Sequence, residues 1–515
     1  MSISQSSPPK KLNFTGKKKI QGKFFLPFCF SSIMVESKHT GPCYNGHIIV
    51  ISFPLQGHAA PLIKLSNRIR KFGVKVTFVT TEFIHSKMAS SMPGPDETDG
   101  NPIRFVSFPD GLESDIDRKD QKKMSSSIYK LMPGQLEGLL NQVNNGSAAA
   151  DHDGEKFTGV IVDSPLAFLM DIPKKMGIKC STYWCSTPGC LSLGCNVEKL
   201  VEAKVIDPVD GTPLKSDERV QLVQGMPGMR PNEFTWCFPA DLDRQREMFH
   251  YFKGVVDNMI RKSDFILCNW FHDLDKSGSN LVPNLLPVGP LLADGQSAGS
   301  FESEDSSCVT WLDKQAPKSV IYVAFGSTSR FSEEQIKEIA SGLELMEKPF
   351  LWVAWSGLTN GTSMSFPDGF VDRVAGRGKI VDWAPQERVL AHPSIACFIS
   401  HCGWGSFMES ISMGVPFLCW PYFGDQLYTQ TCICEAWKVG LWLNADEKGI
   451  ISRNEIKKQV DNLFSDEKIR SNAMKLKEMA RESISEGGSS YKSLEHFVSQ
   501  CSNSSTTTTN GASGH

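Results

Sequence analysis

An α/β protein built from two doubly wound domains is what the sequence predicts, on three observations. Short apolar runs alternate with amphipathic segments of helix length. That alternation occurs twice, on either side of a stretch with little to bury. And 515 residues exceed one ordinary core, since domains hold roughly 100–200 residues each.

Residues 48–53 read as a buried strand. Pro54-Leu55-Gln56-Gly57-His58 follows as a turn, and Leu62, Leu65 and Ile69 then recur at helical spacing before Gly73, where a helix should stop. Residues 74–79 are the next strand, so this is a βαβ unit, which demands a parallel sheet. Further strands are expected at 103–108, 159–162 and 265–268, completing a first domain over residues 41–290. Residues 291–307, rich in Gly, Ser and acid, read as a linker. Strands at 319–325, 395–400 and 415–420, the last after a helix ending at Gly414, place a second domain at 308–501. Residues 502–515 are Ser, Thr, Asn and Gly, an unstructured tail. Residues 1–40 are basic and Ser-rich with no acid before Glu36, a composition that also suits a plastid transit peptide. Because Met34 stands shortly before the first strand, we read this extension as dispensable.

Composition excludes several classes. A hydrophobic fraction of 40% and a net charge of −3 give no electrostatic case for nucleic acid. No stretch reaches the ~18 apolar residues that a membrane helix needs, and Pro27 interrupts the patch at 24–30. The 15 cysteines are scattered without zinc-site spacing, which reads as reduced thiols in a cytoplasmic protein. Cys180, Cys185, Cys190 and Cys195 recur every five residues and read as packing.

Two doubly wound domains leave a cleft between the carboxyl ends of their sheets, where ligands of such folds bind. The densest segment there runs from Trp383-Ala384-Pro385-Gln386 through Ser400-His401-Cys402-Gly403-Trp404-Gly405-Ser406 and Glu409 to Gly424-Asp425-Gln426. It resembles the signature box of the plant family 1 UDP-glycosyltransferases, and from Trp383 to Gln426 it spans the same 44 residues. Gly289-Pro290, Trp311-Leu312-Asp313 and the stretch from Tyr322 to Ser327 extend the likeness. The resemblance implies two Rossmann-like domains facing across a cleft (GT-B type), with the last helix returning to the first domain. It also implies a UDP-sugar in the second domain and inverting transfer to a small acceptor.

Physical reading supports part of this. A helix beginning near Trp404 presents unpaired backbone N–H groups and partial positive charge to a diphosphate, with His401 and the Ser406 hydroxyl beside it. Trp383 offers a face for uracil, whose edge Ala384 backbone and the Gln386 side chain would read. The resemblance assigns the ribose hydroxyls to Glu409, a β-phosphate contact to Ser327, and glucose hydroxyls to Asp425, Gln426 and the Trp404 backbone; a final Gln accompanies glucose. Singly, Trp383 is more simply a packed aromatic, Glu409 a solvated helix residue and Ser406 a cap; their joint order reverses those readings. One departure stands out: the family's usual Asn is Gly405 here, which weakens the phosphate grip or shifts it to backbone N–H.

His58 follows the first strand, titrates near neutrality and matches the family's catalytic base. Asp163, at the tip of another strand, would bond its far nitrogen and fix its tautomer. The expected function is an inverting UDP-glucose-dependent glucosyltransferase forming β-O-glucosides of flavonoid, phenolic or terpenoid acceptors, as a cytoplasmic monomer with no metal, cofactor, nucleic-acid partner or membrane insertion. The acceptor would sit among residues 108–112, 184–188 and 226–236, which are aromatic and Met-rich. Two rivals are a non-catalytic UDP-sugar binder, raised by Gly405, and a dinucleotide-dependent oxidoreductase. Retained His58 and Asp163 oppose the first, and the lack of a Gly-x-Gly-x-x-Gly after either leading strand opposes the second.

Overall fold

Two all-parallel sheets organise the chain. The first contains β1 (His47–Ile51), β2 (Lys75–Thr81), β3 (Arg104–Phe108), β4 (Gly159–Asp163), β5 (Lys179–Trp184), β6 (Phe265–Cys268) and β7 (Leu285–Pro287), in the order β3-β2-β1-β4-β5-β6-β7. The second contains β8 (Val320–Ala324), β9 (Phe350–Val353), β10 (Gly378–Val381), β11 (Ile395–Ser400), β12 (Phe417–Cys419) and β13 (Gly440–Trp442), in the order β10-β9-β8-β11-β12-β13. The computed structural model describes residues 44–89, 102–114, 117–118, 120–144, 156–215, 218–238, 241–276, 282, 284–293, 304–359 and 366–502, which lie in one compact unit, Pro42–His515. The expected N-terminal extension, most of the linker (294–303) and all but the first residue of the tail fall outside the described residues.

The central strands are buried along their whole length: β1, β4 and β8 carry no exposed residue. Helices cover both faces, so such strands read as continuous apolar runs rather than alternating ones. β5, β7, β9, β10 and β13 escape the sequence reading. β5 hides because Ser181 and Thr182 are buried within it, breaking the apolar run.

Register decides where the functional side chains emerge. β1 and β4 are the neighbours at which the strand order of the first sheet reverses, with Ile51 level with Val162. The segment after β1 and the residue closing β4, Asp163, therefore leave the sheet side by side. In the second sheet β8 and β11 hold the same position, with Ala324 level with Ser400. Gly326-Ser327 and His401 thus emerge together.

One apolar core joins the sheets, running from Phe53, Trp184 and Trp270 to Phe398, Trp404 and Phe407. Near the C-terminus, helix Glu467–Ile484 lies against helix Trp404–Met413 of the second sheet. The next helix, Ser489–Cys501, instead packs Leu494, Phe497, Val498 and Cys501 against Ile48, Val50 and Leu267 of the first. Gly159 permits this close approach, since a Cβ there would lie 3.1 Å from the Cys501 sulfur.

Candidate active site

Helix Gln56–Arg70 starts directly after β1, its N-cap Leu55 extended and without a side-chain cap. His58 falls in its first turn. Its Nδ1 lies 2.9 Å from Asp163 Oδ2. Asp163 is fully buried, and the same Oδ2 also accepts the Phe53 N–H at 3.1 Å. With Nδ1 held by a carboxylate, Nε2 is left facing the cleft, 4.0 Å from the sulfur of Cys185. Burial opposes protonation of His58, but Asp163 and the Cys185 sulfur outweigh it and hold the imidazole well above its ordinary value. Asp163 makes no cap bond to the helical turn that follows it, so its carboxylate is given to His58 and the Phe53 N–H.

On the opposite sheet, Cys402 takes a left-handed φ of 63° just after β11, turning the chain into helix Trp404–Met413. The N-cap of that helix is Gly403, extended and with no side-chain cap bond. The first-turn N–H groups of Trp404, Gly405 and Ser406 are therefore not spent on a cap. His401 sits beneath the loop after β8, so close that a Cβ on Gly326 would lie 2.6 Å from its Nε2. Burial lowers its pKa to about 4, and Nδ1 has no hydrogen-bond partner. It is a neutral imidazole at physiological pH.

A half-buried network lies one helical turn beyond. Gln386 Nε2 donates to Ser406 Oγ and to Glu409 Oε2, each at 2.8 Å, while its carbonyl accepts Tyr322 Oη at 3.2 Å. Glu409 Oε1 accepts Lys64 Nζ at 2.7 Å. That lysine also pairs with Glu387. Nearer His58, the Ser186 hydroxyl donates to Asp425 Oδ2 at 2.6 Å across the two sheets. Burial raises the Asp425 carboxyl above its usual range, with Ser186 opposing.

With this geometry in hand, comparison with known proteins is decisive. The family model "UDP-glucoronosyl and UDP-glucosyl transferase" matches residues 243–484. UDP-glycosyltransferase 83A1 of Arabidopsis thaliana is 38% identical over 462 residues, covering 88% of this chain and 96% of that one. The chain belongs to the plant family 1 UDP-glycosyltransferases. The 7-deoxyloganetin glucosyltransferase of Gardenia jasminoides is 31% identical over 490 residues, covering 91% of this chain and 98% of the other. Among solved structures, Phytolacca americana UGT2 complexed with UDP-2fluoro-glucose and pterostilbene aligns with a TM-score of 0.70 at 27% identity, over 88% of this chain and 99% of that one. Medicago truncatula UGT71G1 complexed with UDP-glucose gives 0.72 at 26%, over 89% and 99%.

As a family member, this UDP-glycosyltransferase is a GT-B enzyme of a class that uses UDP-sugars. The expected residues form two groups. His58, Asp163, Asp425 and Ser186 meet where the sheets face each other. Ser327 and His401 follow neighbouring strands beside the helix that starts at Trp404, Gly405 and Ser406, and Gln386, which bonds Ser406 and Glu409 of that helix, follows Trp383 and Ala384 in the chain. No helix among the described residues is long and apolar enough to cross a membrane.

Two expectations, for Gln386 and for the acceptor walls, need correction, and the geometry adds detail at Gly405 and Gln426. Gly405 lies inside a helix and not in a left-handed conformation, and a Cβ there meets nothing within 4 Å. Its backbone therefore does not demand glycine. Both donors of the Gln386 amide are engaged by Ser406 and Glu409, so this side chain organises the site from behind instead of reading a base edge. Gln426 Oε1 accepts the N–H groups of Tyr422 and Phe423 at 2.8 and 3.1 Å, which leaves only its amide NH2 for a ligand. Trp184, Phe234 and Trp236 are core residues, not acceptor walls: they are buried, and the two indoles donate to Thr187 O and Gly211 O, each at 2.9 Å.

Lys64 and Glu387 were missed as members of the site, while Cys185 and Ser186 were expected only as part of the acceptor stretch 184–188. For Lys64 a signal existed: a lysine inside Leu62-Ile63-Lys64-Leu65 interrupts an otherwise apolar stripe, and a buried lysine needs a partner.

Proposed function

We propose that the protein is an inverting UDP-glucose-dependent glucosyltransferase that forms β-O-glucosides of small hydrophobic plant metabolites, flavonoid, phenolic or terpenoid. The observation that carries this reading is the 2.9 Å contact between His58 Nδ1 and the buried Asp163, with Nε2 directed into the cleft. Nε2 takes the proton of the acceptor hydroxyl as its oxygen bonds to C1 of glucose. The bond from C1 to the diphosphate oxygen breaks on the opposite face, and UDP departs with that electron pair. Asp163 stabilises the imidazolium and keeps the ring in the reactive tautomer.

In this reading the donor lies on the second sheet. Its diphosphate meets the N–H groups of Trp404, Gly405 and Ser406, the Ser406 and Ser327 hydroxyls and neutral His401. Trp383 stacks on uracil, Ala384 backbone meets its edge, Glu409 accepts from the ribose, and Asp425 with Gln426 holds glucose. Donors on the protein in place of a cation make transfer metal-independent. Residues 41–290 are the acceptor domain and 308–501 the donor domain, working as a cytoplasmic monomer. Support for glucose comes from the final Gln426 and from relatives named as glucosyltransferases, among them a (R)-mandelonitrile beta-glucosyltransferase of Prunus dulcis.

The test is incubation of the purified protein with UDP-glucose and pooled plant phenolics and terpenoids, reading products one hexose heavier and the anomeric configuration. β-Glucosides are expected. Product only with another UDP-sugar would overturn the donor assignment, and α-glucosides would overturn the single displacement.

A further inference from the structure

Lys64 lies six residues after His58 on the same helix, about 9 Å further along its axis. Only 5% of its side chain is exposed. Its ammonium crosses to the other sheet, meeting Glu387 Oε1 and, at 2.7 Å, Glu409 Oε1. Glu387 Oε2 in turn accepts the N–H of Ala293, at the start of the interdomain segment, at 2.8 Å. Glu409 Oε2 is held by Gln386, which also holds Ser406. A single cation thus connects the helix of the base, the chain between the sheets and the helix at the donor site.

The charges do not balance without it. Two carboxylates, each 15% exposed, share one ammonium, and Glu304 adds to the negative field while Arg388 lowers it. Tyr322, whose phenol faces Glu409 and Glu304, is kept protonated by burial. On the far end of helix Trp404–Met413, Lys477 packs at Gly414, away from this cluster. Burial opposes the Lys64 charge, but Glu409 and Glu387 hold it above the usual lysine range. Burial raises the Glu387 carboxyl, with Lys64 opposing.

We propose that Lys64 is a positioning residue for donor binding: its ammonium holds Glu409 and Glu387 across the domain boundary, so that the ribose acceptor is set only when the His58 helix is docked. This rests on the reading of Glu409 as the ribose ligand. Without the ammonium, two half-buried carboxylates repel and Glu409 swings out of place. At lower pH the Glu387 carboxyl, which burial already raises, takes a proton and can donate it to Glu409, restoring the pair. The defect therefore grows with pH.

The experiment measures UDP binding by calorimetry, and donor and acceptor KM with kcat, between pH 5.5 and 8.5. The variants are Lys64→Met, Lys64→Arg and Glu409→Gln. In Lys64→Met, UDP Kd and donor KM should rise about ten-fold or more at pH 8.5, as for a lost hydrogen bond to a charged group. That loss should shrink toward pH 5.5 while acceptor KM stays near wild type, and Lys64→Arg should recover most of it. Lys64→Gln carries the same test if the Met variant does not fold. Donor affinity within two-fold of wild type at every pH, or equal losses for donor and acceptor, overturns the role of Lys64. If Glu409→Gln leaves UDP affinity unchanged, the ribose reading itself has failed; if Glu409→Gln weakens UDP and the Lys64 variants do not, only the positioning proposal has.

Discussion

Restoring the family's usual side chain, Gly405→Asn, is the perturbation that isolates this chain's main departure. Position 405 is the second residue of helix Trp404–Met413, exposed, with helical backbone, and a Cβ added to it would have no atom within 4 Å. Asn there costs no backbone strain. On helix propensity alone it gains a few tenths of a kcal/mol over Gly. A helical side chain points back toward the helix N-terminus, so an Asn there would lie on the side of the first-turn N–H groups, where a donor to a charged phosphate oxygen is worth about 1.5–3 kcal/mol. The expected result is UDP and UDP-glucose binding tighter by about ten-fold or more, since 1.4 kcal/mol is a factor of ten, with Tm unchanged or slightly raised. Calorimetric titration of UDP, paired with a thermal melt, measures both. Unchanged affinity in a protein of unchanged Tm would refute the weakened grip, because it would mean that the Gly405 N–H and its neighbours already satisfy the phosphate.

Five further outcomes follow from the same geometry. His58→Ala should lower kcat by ~10²–10⁴ while UDP affinity holds, the base and the nucleotide site lying on different sheets; steady-state rates with UDP calorimetry check this. Because Asp163 and Cys185 hold His58 well above 6.5 against burial, kcat/KM should rise with pH through a pKa above 6.5, and Asp163→Asn should move that limb downward. The same raised pKa means that the His58–Asp163 pair contributes stability fully below about pH 6.5 and loses it as pH rises through the folded value, so Asp163→Asn should destabilise most in acid, as denaturant titrations across pH would show. Gly326→Ala places a methyl 2.6 Å from His401 Nε2 at a φ of +71°; a left-handed non-glycine costs roughly 1–2 kcal/mol, so a lower Tm and weaker UDP binding are expected. Removing Lys64 breaks a buried ion cluster, and Lys64→Met should cost about 3–5 kcal/mol near neutral pH, a loss that a denaturant titration at pH 5 should find smaller.

Much of the site was legible because its chemistry sits at strand tips. A run such as β11, Ile395–Ser400, is buried on both faces and so is written as unbroken apolar residues; the residue that ends the run is the one that leaves the sheet. Asp163 and His401 are placed by that rule, and His58 by the helix start that follows β1. β5 was not legible, because Ser181 and Thr182 are tolerated inside it only through tertiary burial. Trp184, Phe234 and Trp236 show the converse. They stand at strand ends or in loops, where no periodicity says which side faces the core, and their aromatic content read equally well as a binding surface.

By itself, then, the chain's order of residues determined the two parallel-sheet domains, the family, the strand-tip residues and the helix start at Trp404, because each follows from local period, burial pattern or a contiguous motif. Only the tertiary structure decided how the sheets dock. Lys64 with Glu409, Ser186 with Asp425 and the Trp404 indole with Asn269 O join residues 345, 239 and 135 positions apart. Such contacts leave no local trace, since each partner alone looks like an ordinary helix or loop residue. What selects them is the cost of burying a charge or an N–H without a partner, and that cost arises only once the two domains have closed over it.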